Sequence, residues 1–72
     1  MATSQTVRLS PRERQVLSLR ARGVGIKAIA RQLDISDRCV DQYVRRAVAK
    51  LDAIDTTNAV AMAIHLGIIS LN

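Results

Sequence analysis

Most of what a catalytic, metal-binding or membrane protein would use is missing from this 72-residue chain. Cysteine occurs once, at Cys39, so no internal disulfide can form and the paired-cysteine spacings of zinc sites are absent. A single thiol suits a reducing compartment, and on a helix it reads as a small, semi-buried filler rather than a redox sensor. His65 is the only histidine, and no second ligand-type residue stands near it to complete a metal site. Aromatic content is reduced to Tyr43, which rules against the stacking platforms of RNA-binding and single-strand-binding sheets. No stretch reaches the roughly 18 apolar residues of a membrane span, and Met1 to Thr6 are not followed by the apolar core of a signal peptide. Ser10 and Ser36 have no His and Asp partners for nucleophilic chemistry. The expectation is a cytoplasmic protein with no membrane attachment, no cofactor, no metal and no catalytic residues: a binder rather than an enzyme.

The charge that is present is unevenly placed. The net charge is +5, which points toward a polyanionic partner. Residues 1–33 carry seven basic side chains against Glu13 alone, whereas residues 34–72 carry four against five aspartates. From Thr56 to Asn72 there is no Asp, Glu, Lys or Arg at all.

Spacing predicts an all-α chain of four helices. Ser10-Pro11-Arg12-Glu13 is a complete start signal, with a capping hydroxyl, a proline at the first helical position and a glutamate able to reach back to the cap. A helix is expected over about 11–22, with Val16, Leu17 and Ala21 on its stripe, Leu19 off it toward a neighbouring element, and Gly23 as a left-handed stop. Ile26, Ile29, Ala30 and Leu33 give a second helix over 26–33 behind the weaker cap Gly25. Ser36 caps a third over 37–51, whose buried stripe is Val40, Val44, Ala47, Val48 and Leu51. Its opposite face holds Arg38, Gln42, Arg45 and Ala49, with Asp41 and Arg46 on the flanks. Two helices joined by a tight turn, the second with a polar outer face, make a helix-turn-helix. A fourth helix is expected over 57–66 with Gly67 as its stop. Its apolar residues exceed what one side can bury, so Asn58, Ala61, Met62, His65 and Ile69 are expected to face a partner. The remaining boundary is a flexible tail over 1–8 ahead of a domain over 9–69.

These residues, in register from Leu9 to Ile69, resemble the LuxR-type, or GerE-like, DNA-binding domain of bacterial transcription regulators. Leu9-Ser10-Pro11-Arg12-Glu13-Arg14 with Val16-Leu17 is similar to that family's opening helix, and Gly23 falls on its turn glycine. Lys27, Ile29-Ala30 and Leu33, then Ile35-Ser36, Val40 and Lys50-Leu51, match the two helices of its reading motif. Thr57, Ala59-Val60, Ala63 and Leu66-Gly67 match its fourth helix. Four features depart from the pattern: Asp41 stands where the family usually has a base, Tyr43 where it has histidine, Asp52 where it has glycine, and Ile54-Asp55-Thr56 where it commonly has an arginine.

The resemblance implies a third helix in the major groove and a fourth at a dimer contact. Asp41, Gln42 and Arg45 fall on base-touching positions, and Lys27, Arg38, Arg46 and Lys50 on phosphate or flanking ones. Gln42 suits adenine and Arg45 guanine, because each side chain matches that base edge bidentately. An aspartate is repelled by phosphates but accepts from cytosine's amino group. Its i, i+4 spacing to Arg45 also allows an intrahelical pair. The function implied is a sequence-specific regulator of transcription that binds double-stranded DNA as a homodimer. The alternative is a solitary helix-turn-helix module that pairs with, and modulates or inhibits, a larger LuxR-type regulator.

Overall fold

A computed structural model describes residues 7–71, and within them the chain forms four helices: α1 (Pro11–Ala21), α2 (Ile26–Leu33), α3 (Asp37–Lys50) and α4 (Thr56–His65). Most of the tail expected over 1–8 lies outside the described residues. Val7, which that tail would have included, packs half-buried against the core.

Each helix begins where a side chain satisfies first-turn amides, α2 excepted. Ser10 Oγ accepts from the Glu13 N–H at 3.1 Å while Glu13 Oε1 accepts from the Ser10 N–H at 2.9 Å, closing a capping box. Ser36 Oγ accepts from the Cys39 N–H at 3.0 Å. Asp55 takes the Asn58 N–H at 2.8 Å, so α4 starts at Thr56, one residue earlier than spacing suggests. Gly25 offers no side chain to α2.

All four helices end in one motif, with paired hydrogen bonds wrapping the last turn around a left-handed residue. After α1 the Val24 and Gly23 amides donate to the Leu19 and Arg20 carbonyls. After α2 those of Ile35 and Asp34 reach Ala30 and Arg31, after α3 those of Ala53 and Asp52 reach Val48 and Ala49, and after α4 those of Ile68 and Gly67 reach Ala63 and Ile64. Gly23 and Gly67 take the left-handed position at φ 87° and 76°. Asp34 and Asp52 take it at φ 59° and 56°, a conformation in which an L side chain crowds its own backbone. These stops trim the ends of α1, α3 and α4 by one residue each, since Arg22, Leu51 and Leu66 serve as caps.

The apolar stripes meet in two clusters. Val16, Ile29, Ala30, Val40 and Val44 join α1, α2 and α3, with Leu19 packed against them. Leu9, Leu17, Ala47, Leu51, Ala59, Ala63 and Ile69 join α1, α3 and α4, and Val48 touches both clusters. Ile69 corrects an expectation: it is 7% exposed and belongs to the core, not to a partner surface. The reason is the stop at Gly67, where the chain reverses and the Ile68 and Ile69 amides both return to the Ala63 carbonyl.

Candidate functional site

With Val40, Val44 and Ala47 turned inward, helical geometry leaves Arg38, Gln42, Arg45, Arg46 and Ala49 on the outer side of α3, and all five are exposed. Lys27 is exposed on the first turn of α2. Burial of the stripe therefore forces a polar, mostly cationic ridge into solvent, bounded by the turn between α2 and α3. Arg46 is steadied by Tyr43, whose ring centroid lies 6.0 Å from its guanidinium carbon, a cation–π contact at the outer limit of range. Asp41 and Arg45 pair at 2.8 Å, Arg45 Nε donating to Asp41 Oδ2.

Lys50 differs from the other cations. The resemblance places it among the phosphate contacts, yet its ammonium lies 2.8 Å from Glu13 Oε1, tying the C-terminal turn of α3 to the N-terminal turn of α1. Glu13 is 3% exposed. Burial pushes its carboxyl pKa up, but the hydrogen bond from Lys50, the Ser10 amide and hydroxyl, and the Lys50 charge outweigh that and hold it below the usual carboxylate range. The pair ties Lys50 to a buried carboxylate on another helix, whereas Arg45 pairs only with Asp41 within α3. Cys39 is a second difference: it is an exposed free thiol in the first turns of α3, not a buried filler.

The outer side of α4 has another character. Ala61 and His65 are exposed, Met62 is half-buried, and Asn58 turns its Oδ1 back to accept from the Ile54 N–H at 3.1 Å. That bond fastens Ile54, 88% exposed, beside the first turn of α4. Ile54, Ile64 and Leu66 add exposed apolar surface that periodicity does not single out. The signal available for Ile54 is an isolated branched aliphatic between two aspartates of a short loop. Of the five residues expected on a partner surface, Asn58, Ala61, Met62 and His65 share this side and Ile69 does not.

Among the described residues no three His, Cys, Asp or Glu side chains converge as metal ligands would, and no helix is long and apolar enough to cross a membrane. Open grooves at the surface are lined by α1 with the segment after Gly67, by the end of α1 with α4, and by α3 with the start of α4. The molecule offers two surfaces, one cationic and one apolar.

Known proteins are similar to this chain in sequence and in fold. The sequence profile of bacterial regulatory proteins of the luxR family matches residues 7–63. The transcriptional activator protein BjaR1 of Bradyrhizobium diazoefficiens is 38% identical over 65 residues, which is 90% of this chain and 27% of that protein. The HTH-type quorum sensing-dependent transcriptional regulator RpaR of Rhodopseudomonas palustris is 42% identical over 64 residues, 89% of this chain and 26% of its own. The transcriptional regulatory protein FixJ of Rhizobium meliloti is 45% identical over 59 residues, 82% and 29% respectively. The chain thus spans between a quarter and a third of the length of these relatives. Among solved structures, that of the transcription factor GerE superposes with a TM-score of 0.85 at 31% identity, covering 89% of this chain and 96% of that one.

Proposed function

The chain belongs to the luxR family of bacterial regulatory proteins, whose shared unit is a helix-turn-helix DNA-binding domain, and from that premise we propose that it regulates transcription by binding double-stranded DNA as a symmetric dimer. The observation that carries this reading is the ridge on α3, where Arg38, Gln42, Arg45 and Arg46 all face solvent because the opposite stripe is buried. A major groove admits a helix with that face and offers Gln42 and Arg45 the adenine and guanine edges that match them. Lys27, Arg38 and Arg46 neutralise flanking phosphates, which fixes register without reading sequence. Pairing through Asn58, Ala61, Met62 and His65 of α4, extended by Ile54, sets two copies of α3 about one helical turn of DNA apart. Such a regulator works in the cytoplasm, where bacterial DNA lies.

Fluorescence anisotropy with a duplex selected from random sequence tests the reading. Affinity should fall steeply as salt rises, because neutralised phosphates release counterions. A chain that shows no salt-dependent binding to any duplex overturns it.

The pair between Asp41 and Arg45, together with the uncharged face of α4, supports a second reading: a module that docks through α4 on a larger LuxR-type regulator and modulates it. Replacement Met62→Glu separates the surfaces. It should weaken self-association or heteromer formation at least about tenfold by placing a charge in an apolar contact, with helical content unchanged by circular dichroism. A complex that survives Met62→Glu excludes both forms of pairing through α4.

A further inference from the structure

We infer that Asp41 is a positioning residue for Arg45, holding its guanidinium so that the terminal edge is presented to guanine; this rests on the DNA-binding reading above. A guanidinium has three donor nitrogens, and guanine is read bidentately through two parallel donors aimed at O6 and N7. The bond to Asp41 Oδ2 uses Arg45 Nε, at 2.8 Å. It leaves Nη1 and Nη2 together at the outward end, and neither has a hydrogen-bond partner among the described residues. Had the carboxylate taken the terminal nitrogens instead, that edge would be spent.

The two partners are unequally exposed, and the shorter, less exposed one is the support. Asp41 sits on the flank of α3, its side chain 44% exposed, and with Arg45 it lines a groove completed by Val44, Val48 and the Asp55 and Thr56 start of α4. Arg45 is 79% exposed and has no other holder. A long, solvated side chain loses rotamer freedom when it is immobilised on a base, and a partner that fixes it beforehand lowers that loss. The charges nearest the pair are engaged elsewhere: Asp55, which could draw off Arg45, accepts from the Asn58 amide, and Lys50, which could draw off Asp41, is bound to Glu13. As a contribution to folding, an exposed i, i+4 pair amounts to little. Its consequence is therefore to be looked for in sequence discrimination, not in stability.

The test uses duplexes recovered by selection with the unaltered chain, then single-position variants of them, with affinities measured at fixed salt. One guanine position should lose roughly tenfold in affinity on change to adenine, the discrimination of a bidentate contact. Replacement of that guanine by 7-deazaguanine, which lacks the N7 acceptor, should also weaken binding. In Asp41→Ala both differences should largely vanish, while affinity averaged over unrelated duplexes holds or rises because a negative charge has left the surface. Arg45→Ala should abolish the same discrimination, and the double variant should lose no more than either single one, as coupled residues do. Asp41→Asn keeps an acceptor oxygen for Nε and should restore most of the preference. If Asp41→Ala binds DNA with the guanine preference unchanged or sharpened, the inference is overturned while the DNA-binding reading stands. If the unaltered chain shows no salt-dependent binding to any duplex, both fall.

Discussion

Along the outer side of α3 stand three arginines and a glutamine, whereas the outer side of α4 carries alanine, isoleucine and histidine with no fully charged residue from Thr56 onward. The two helices are alike in how they are made: a side-chain cap at the start, a left-handed residue after the end, and an inward stripe set into the same cluster through Ala47 and Ala63. The difference lies wholly in the side chains that the backbone turns toward water. It also decides how each surface responds to salt. Phosphate contacts weaken as ions screen them, while apolar association is left unweakened and is strengthened by sulfate. One salt titration therefore separates the two surfaces without any mutation.

The largest effect should come from removing a residue that both surfaces lean on. Leu17 is fully buried between α1, α3 and α4, and Leu17→Ala should cost about 3 kcal/mol in chemical denaturation, enough to threaten a domain this small. DNA binding and self-association should then fail together. Next, replacement of both Arg38 and Arg46 by alanine should lower duplex affinity at least about tenfold at low salt and reduce the steepness of the salt dependence by about two. Sedimentation should show the same oligomer, which would break any account in which the two surfaces act as one.

A smaller effect is expected at the buried carboxylate. Glu13→Gln should destabilise the fold by about 1 kcal/mol at neutral pH, a modest figure because the Lys50 ammonium is half solvated. Because the folded-state pKa of Glu13 lies below its ordinary value, its contribution is complete above the ordinary carboxylate range and is lost as pH falls through the lowered folded value. Melting temperatures of the two forms should converge in acid. Since the pair anchors the end of α3 and touches nothing in α4, self-association should be less affected than DNA binding. Smallest of all, Asp52→Gly should stabilise the fold by about 0.5 kcal/mol, as relief of a left-handed aspartate is partly offset by glycine's greater freedom when unfolded. Neither surface should notice.

Local signals are the legible ones. Ser10, Pro11 and Glu13 announce α1, and Gly23 and Gly67 announce two of the four stops, because each acts within a turn of its own position. Asp34 and Asp52 do not announce the other two. Aspartate is commoner as a cap or turn residue, and only its dihedral angle reveals the role it takes here. Ile69 defeats helical spacing, which carries on from His65 past Gly67 although a left-handed residue resets the register and turns residues 68 and 69 toward the core. Lys50 sits on the flank of a wheel that records angle but not neighbours, and its partner lies 37 residues away in sequence. At Cys39 the habit of the residue type, a buried filler, gives way to its angle on α3, which is outward. The candidate surfaces are legible as faces; which cations remain available on them is not.

The division of the core into two clusters also bears on the order in which the chain acquires its shape as it is made. Every residue that seals the α1, α2 and α3 cluster has been synthesised by Val48. The other cluster is sealed only by Ile69. A chain emerging from the ribosome can therefore assemble the helix-turn-helix before α4 has come out behind it. Until then Leu9, Leu17 and Leu51 have no lid, and the nascent chain presents apolar surface to whatever lies near it. Closure of the second cluster and the arrival of α4, with the apolar face it carries, are thus a single event.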